Sequence, residues 1–287
     1  MSLAEQFAEK YDCVVICGNF RFGSTALSVK LSSWLTHLKC DVLWLNEFFT
    51  AHHFVDFDEQ GKFSFNSIRD DFIPFDGDSH AIELALHRPI PDSLVRFKIG
   101  WLKDKMRTHK IVLKTDPVDW TGASGKILED FIFENPRIYK LGLNRRDIGN
   151  AMISYLIGIQ CGYWNSGESE FKTEMSKSVN PVPAHLHRMQ EFWNFTLTHN
   201  NWLWYMHRRI DHLVWYDQIE NLQISEIGLI SEPSKIWTYK NPIPHSDRLK
   251  KYFTNPDAVA DVAKHVQDNM HELIDSVYRL YRNPRLA

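Results

Sequence analysis

The sequence predicts an α/β fold of three layers, α/β/α, around a central parallel sheet. Short β-branched runs alternate along the chain with longer stretches of helical periodicity, the habit of strands joined by crossover helices. Those runs are apolar at nearly every position rather than at every second one, as expected where helices cover both faces of a sheet. The first run also passes through a glycine-bearing turn directly into helical sequence, the kind of junction at which open parallel sheets hold ligands.

In chain order, strands are expected at Asp12–Cys17, Asp41–Leu45, Lys110–Lys114, Arg137–Leu143 and Asp211–Trp215. Between them Ser24–Leu38, Ser93–His109, Gly125–Phe133, Asp147–Ile159 and Pro183–Met206 read as helices. In the final segment, Asp257–Arg282, the residues Val259, Val262, Val266, Met270, Leu273, Val277 and Leu280 stand three and four apart and form one apolar stripe for docking on a core. Two stretches break the rhythm. At about 56–80, Asp56, Asp58, Glu59, Asp70, Asp71, Asp76 and Asp78 meet only Lys62 and Arg69, with Pro74 among them, so an exposed acidic insertion with the character of a solvated loop is expected. The stretch 163–182 is rich in Ser, Glu, Lys and Pro and links two helices. No repeat, low-complexity tract or linker divides the chain, and residues 1–287 are read as a single domain ending in the helix at about 257–282.

Composition narrows the function classes. The chain is 44% hydrophobic and 24% charged, ordinary for a globular protein. Its 33 Lys and Arg against 36 Asp and Glu give a formal charge of −3, which argues against a broad basic face for nucleic acid, so an anion must be caught locally. Cys13, Cys17, Cys40 and Cys161 form no C-x-x-C pair, and two of them lie in the first apolar run, so a reducing compartment is expected. No stretch reaches the roughly 18 uninterrupted apolar residues of a membrane span. The expectation is a soluble, cytoplasmic protein with no nucleic-acid or membrane partner.

The loop after the first strand reads CGNFRFGSTALS from Cys17 to Ser28. Its skeleton, Gly18-x-x-x-x-Gly23-Ser24-Thr25, has the spacing of the phosphate-binding P-loop, with Ser24 in place of the lysine that reaches the β/γ-phosphates. A strand entering a helix at Ser24 gathers backbone N–H groups and the positive helix end at one point, where an oxyanion is held. Ser24 and Thr25 add hydroxyl donors, and Arg21 adds a planar fork suited to bidentate oxyanion contact rather than a point charge. A plain strand-to-helix turn capped by serine, with no ligand, is the competing reading of the loop alone.

Further on, KLGLNRRDIGNAMISYLIGIQCGYW runs from Lys140 to Trp164. Arg145 follows the apolar run at the carboxyl end of a strand, and Ser154 lies two turns along the next helix.

A lysine-free Arg21-Phe22-Gly23-Ser24-Thr25-Ala26-Leu27 loop, then Asn46-Glu47-Phe48-Phe49, then Arg145-Arg146-Asp147 with Ser154 nine residues after Arg145, resembles the sulfotransferase superfamily that uses 3′-phosphoadenosine 5′-phosphosulfate (PAPS). Within it the chain looks most like the bacterial trehalose 2-sulfotransferase type, in order and approximate spacing from about residue 12 to residue 220. The resemblance implies a P-loop-containing, sulfotransferase-like fold in which Arg21, Phe22, Gly23, Ser24, Thr25 and Ala26 grip the 5′-phosphosulfate while Arg145 and Ser154 grip the 3′-phosphate. It implies PAPS as donor, 3′-phosphoadenosine 5′-phosphate (PAP) as product, no metal, and an acceptor hydroxyl on a carbohydrate or other small metabolite. Relatives of the trehalose type form dimers, so it also allows a homodimer.

For the chemistry, Arg21 is expected to stabilise the bridging and leaving oxygens, and the resemblance to the trehalose type implies Glu47 as the general base on the acceptor. A solvent-facing acid at a helix start is the plain alternative for Glu47, and His52, His53 and His80 are rival bases. The late loop WTYKNPIPHSDRLKKYF, Trp237 to Phe253, offers Lys240 as a further PAPS contact by the same resemblance. His185, His187, His199 and His207 lack the spacing of a metal site. Trp193, Phe195, Trp202, Trp204 and Tyr205 are expected in the core, and Leu213–Glu220, with its Tyr216-Asp217 pair, is read as architectural. Two rivals remain: a P-loop nucleotide kinase or NTPase using Asp116 toward magnesium, and a catalytically inactive nucleotide-binding relative.

Overall fold

The computed structural model describes residues 3–19, 21–45, 48–49, 54–57, 63–66, 92–116, 120, 122–161, 178–219 and 245–282. It is an α/β fold with a five-stranded parallel sheet flanked by helices. The strands are β1 (Cys13–Cys17), β2 (Val42–Trp44), β5 (Lys110–Thr115), β6 (Ile138–Asn144) and β7 (His212–Trp215), in the order β2-β5-β1-β6-β7. Every residue of β1 and of β6 is buried, the polar Lys140 and Asn144 of β6 included, as expected of strands covered on both faces. The chain leaves β1 for β2 on one side and later crosses from β5 to β6 on the other. The carboxyl end of β1 is therefore the point where the winding reverses, the usual ligand edge of such a sheet.

Helices α1 (Leu3–Lys10), α2 (Ser24–His37), α3 (Asp92–Lys105), α4 (Gly122–Phe133), α5 (Ile148–Cys161), α6 (Leu186–Met206), α7 (His245–Tyr252) and α8 (Pro256–Arg282) complete the described elements with a two-stranded antiparallel sheet, β3 (Phe54–Phe57) and β4 (Phe63–Asn66). The chain divides into two compact units. One comprises Met1–Cys17, Ser28–Leu141 and Leu229–Ser231; the other comprises Gly18–Leu27, Gly142–Gly228 and Glu232–Ala287.

In the first unit, β5 pairs with β1 from Cys13↔Ile111 to Cys17↔Thr115 and with β2 from Val42↔Lys110 to Trp44↔Val112. Phe7 of α1 packs against Trp34 and Tyr139 at centroid distances of 5.5 and 5.2 Å. At the amino ends of the strands, Arg137 grips both oxygens of Asp12 at 2.7 and 2.6 Å, and Lys110 adds a third contact at 3.0 Å. Burial raises the Asp12 carboxyl, but the hydrogen bonds from Arg137 and Lys110 outweigh it and hold the group below the usual aspartate range.

In the second unit, α8 starts with Pro256 in the first helical position, where its missing N–H costs nothing. It buries Val259, Ala263, Val266, Met270, Ile274, Val277 and Leu280. The stripe is thus rotated slightly from the expected one: Ala263 and Ile274 are buried where Val262 and Leu273 were expected, because α5 approaches so closely that a Cβ on Gly149 would stand 2.8 Å from the Ala263 carbonyl oxygen. A small residue at 263 permits that approach.

Three expectations are corrected. The expected acidic loop contains paired strands, Phe54↔Asn66 through Phe57↔Phe63, short runs of the aromatic and β-branched residues that favour strands; its remaining residues lie outside the described ones. The late loop contains α7, a helix that buries Leu249 and Tyr252. On α6, Trp204 and Tyr205 are exposed at 48% and 79%, since the core-facing row of that helix is Phe192, Thr196, His199, Asn200, Leu203 and Met206.

Candidate functional site

The loop at the end of β1 is built around two left-handed residues. Arg21 has φ 62° and Gly23 has φ 89°. Glycine at 23 answers a second demand as well, because a Cβ there would lie 2.6 Å from Tyr216 Cδ2 and 2.9 Å from Ile219 Cδ1. The Phe22 N–H donates to the Asn19 carbonyl at 3.2 Å and the Leu27 N–H to the Gly23 carbonyl at 3.0 Å, closing the turn and opening α2. The N–H groups of Ser24, Thr25 and Ala26, the first turn of α2, therefore have no intrahelical acceptor. Backbone that alternates hand just before a helix start makes a concave nest of such donors, an anion cradle.

Behind the loop lies a buried polar frame supplied by α6. Asn19 Nδ2 donates to Thr196 Oγ1 at 3.2 Å, Asn144 Nδ2 to Asn200 Oδ1 at 2.8 Å, and Asn200 Nδ2 to the Thr196 carbonyl at 2.9 Å. The Phe22 ring is fully buried, edge-on to His199 with centroids 5.5 Å apart, so only the Phe22 backbone is left to meet a ligand. His199 Nε2 faces the Leu143 carbonyl at 2.8 Å, and since a carbonyl only accepts, Nε2 carries the hydrogen. Burial pushes the His199 imidazole down to about 4, with the Leu143 carbonyl acting the other way, so the ring is neutral near pH 7.

Arg145 follows β6 and joins this loop. Its Nη1 donates to the Arg21 carbonyl at 2.8 Å, its Nε donates to the Asp147 carbonyl at 2.9 Å, and its backbone N–H donates to Asn144 Oδ1 at 2.9 Å. The guanidinium is 4% exposed, lies 4.0 Å over the Tyr216 ring, and has Nη2 3.6 Å from Asp147 Oδ2. A guanidinium has five N–H donors, so two carbonyls do not exhaust it. It holds the carbonyl of the left-handed residue at 21.

The N-terminus of α5 is a different matter. Gln267 Oε1 accepts from the Ile148 N–H at 2.7 Å and the Gly149 N–H at 3.1 Å, while Asp147 Oδ1 accepts from the Asn150 N–H at 3.2 Å. Those donors are consumed within the protein. The start of α5 is thus capped by Gln267 and Asp147, whereas that of α2 follows directly on the left-handed Gly23.

Of the sequence-predicted residues, Arg21, Phe22, Gly23, Ser24, Thr25, Ala26 and Arg145 are brought together. Ser154 lies on α5 and is 8% exposed; among the described residues no hydrogen bond joins it to the loop or to Arg145. Next to it, Tyr155 donates to Glu191 Oε2 at 2.9 Å and fastens α5 to α6. Glu47 and Lys240, with His52, His53 and His80, lie outside the described residues. Tyr216 was read only as architectural, and the frame of Asn19, Asn144, Thr196 and Asn200 was not assigned to the site from the sequence. The one available signal was the aromatic residue of Tyr216-Asp217 immediately after a strand. Among the described residues, no group of three or more His, Cys, Asp or Glu side chains is placed to hold a metal ion, and no helix is long and apolar enough to cross a membrane. No protein-family model and no curated protein matches the chain.

Proposed function

We propose that the chain is a PAPS-dependent sulfotransferase, moving a sulfuryl group to a hydroxyl of a carbohydrate or other small metabolite. The observation that carries this reading is the bond from Arg145 to the Arg21 carbonyl, which joins a lysine-free phosphate loop to a buried arginine in one unit of the fold. An adenosine ligand with anionic groups at its 5′ and 3′ positions suits such a pair. The donor set fits it: the N–H groups of Ser24 to Ala26, the hydroxyls of Ser24 and Thr25, and Arg21 are assigned to the 5′-phosphosulfate, and Arg145 and Ser154 to the 3′-phosphate.

When bound, PAPS supplies the activated sulfuryl group. In an in-line displacement the acceptor oxygen bonds to sulfur, the bond from sulfur to the 5′-phosphate oxygen breaks, and PAP departs. The chain's part is to align the two partners and offset charge on the leaving oxygen, a task assigned to Arg21 and the loop N–H groups. Glu47 is assigned the acceptor's proton. No γ-phosphate is involved, so the missing lysine is no deficit.

One observation favours a second reading. Asp116, 3% exposed, follows Thr115 at the end of β5, the strand beside β1, where a nucleotide kinase or NTPase would keep an acid for magnesium. Calorimetric titration with PAP and with ATP, each with and without magnesium, separates the two. Tight, magnesium-independent PAP binding is expected, and magnesium-dependent ATP binding without PAP binding would reverse the choice. Glu47→Gln should then bind PAP as the parent does while losing transfer of labelled sulfate; undiminished transfer would remove Glu47 from the chemistry.

A further inference from the structure

Taking the loop and Arg145 as the anion site proposed above, we propose that Tyr216 is a positioning residue that locks Arg145 onto the phosphate loop. Two independent contacts meet on its ring. The bare backbone of Gly23 meets the ring edge, so close that a Cβ there would stand 2.6 Å from Cδ2 and 2.9 Å from Cε2. The Arg145 guanidinium lies over the ring, 4.0 Å from its centroid. The ring itself is held by a short turn after β7, in which the Trp215 N–H donates to Gln218 Oε1 at 3.1 Å and the Ile219 N–H to the Tyr216 carbonyl at 3.2 Å.

The physical consequence follows from the shape of the guanidinium. Its bonds to the Arg21 and Asp147 carbonyls, and the 3.6 Å approach of Nη2 to Asp147 Oδ2, act along its edges and leave it free to tilt out of its plane. A ring face beneath the plane removes that freedom, since a cation is held over the π-face. Arg145 in turn holds the carbonyl of Arg21, a residue whose φ of 62° costs energy unless its surroundings enforce it. Tyr216 therefore acts through Arg145 and Gly23, with its aromatic face rather than its hydroxyl. The chemistry it serves is recognition of a phosphorylated adenosine ligand.

The test is hydrogen–deuterium exchange of the full chain without ligand, read in peptides covering 18–27, for the parent, Tyr216→Phe, Tyr216→Leu and Arg145→Ala. Tyr216→Leu and Arg145→Ala should speed exchange in the loop by about fivefold to tenfold, Tyr216→Phe should match the parent, and α8 should be unchanged in all four. Loop exchange in Tyr216→Leu equal to the parent, or Tyr216→Phe as fast as Tyr216→Leu, would overturn the proposal. Should Tyr216→Leu fail to fold, Tyr216→Met fills the space against Gly23 without an aromatic face and is read the same way. PAP titration of the same proteins separates this inference from the reading beneath it. Expected exchange with no PAP binding by the parent would leave the positioning role standing and remove the donor. PAP binding by the parent that Tyr216→Leu does not weaken would remove the positioning role and leave the donor.

Discussion

His199 sits at the back of the loop as a neutral, fully buried ring, and that has a measurable consequence. Its imidazole titrates at about 4 in the folded chain against 6.5 when exposed, so between those values the unfolded chain takes up a proton that the folded one refuses. Stability from this residue is present above about pH 6.5 and is lost as pH falls toward 4. The difference in unfolding free energy between the parent and His199→Gln should shrink by about 3 kcal/mol from pH 7 to pH 4. Urea unfolding at both pH values measures it, and a constant difference would mean that the ring is not buried neutral. At this scale the sequence pointed to the loop of Arg21, Gly23 and Ser24 and to Arg145, which the structure brings together, because loop spacing and strand ends are local patterns. It did not disclose that Asn144 meets Asn200, 56 residues away, or that Tyr216 meets Gly23, since side-chain partners distant in the chain leave no periodic trace.

Among the elements, α5 shows how the site is tuned by what it withholds. Gln267 of α8 caps the Ile148 and Gly149 N–H groups and donates to the Arg146 carbonyl at 2.9 Å, so one amide closes the start of α5 beside Arg145. Gln267→Ala should cost about 1–2 kcal/mol of stability, the range for losing a helix cap. An unchanged denaturation midpoint would show that water replaces the amide at no cost. The strands of the large sheet were legible to within a residue or two, because short runs dominated by apolar and β-branched residues stand out between helical patterns. Helix ends drifted by up to a turn, and the eight-residue helices α1 and α7 were not anticipated, as two turns carry too little periodicity. The β3–β4 pair was hidden in the sequence by Asp56, Asp58 and Glu59, which interrupt its apolar pattern.

Across the whole molecule, the strand order β2-β5-β1-β6-β7 puts the loop after β1 and Arg145 after β6 on neighbouring strands at the winding reversal. With a net charge of −3 the chain offers no general attraction for anions, so affinity has to come from this local convergence. The loop and Arg145 are proposed to hold two anionic groups of one adenosine ligand, and the contribution of the 3′-phosphate isolates that role. Titration of PAP and of adenosine 5′-monophosphate into the parent and Arg145→Ala measures that contribution. The parent should prefer PAP by about 10- to 100-fold, the worth of hydrogen bonds to a charged group, and Arg145→Ala should lose most of that preference. A parent that binds the two nucleotides alike, or an Arg145→Ala variant that keeps the full preference, would contradict the account.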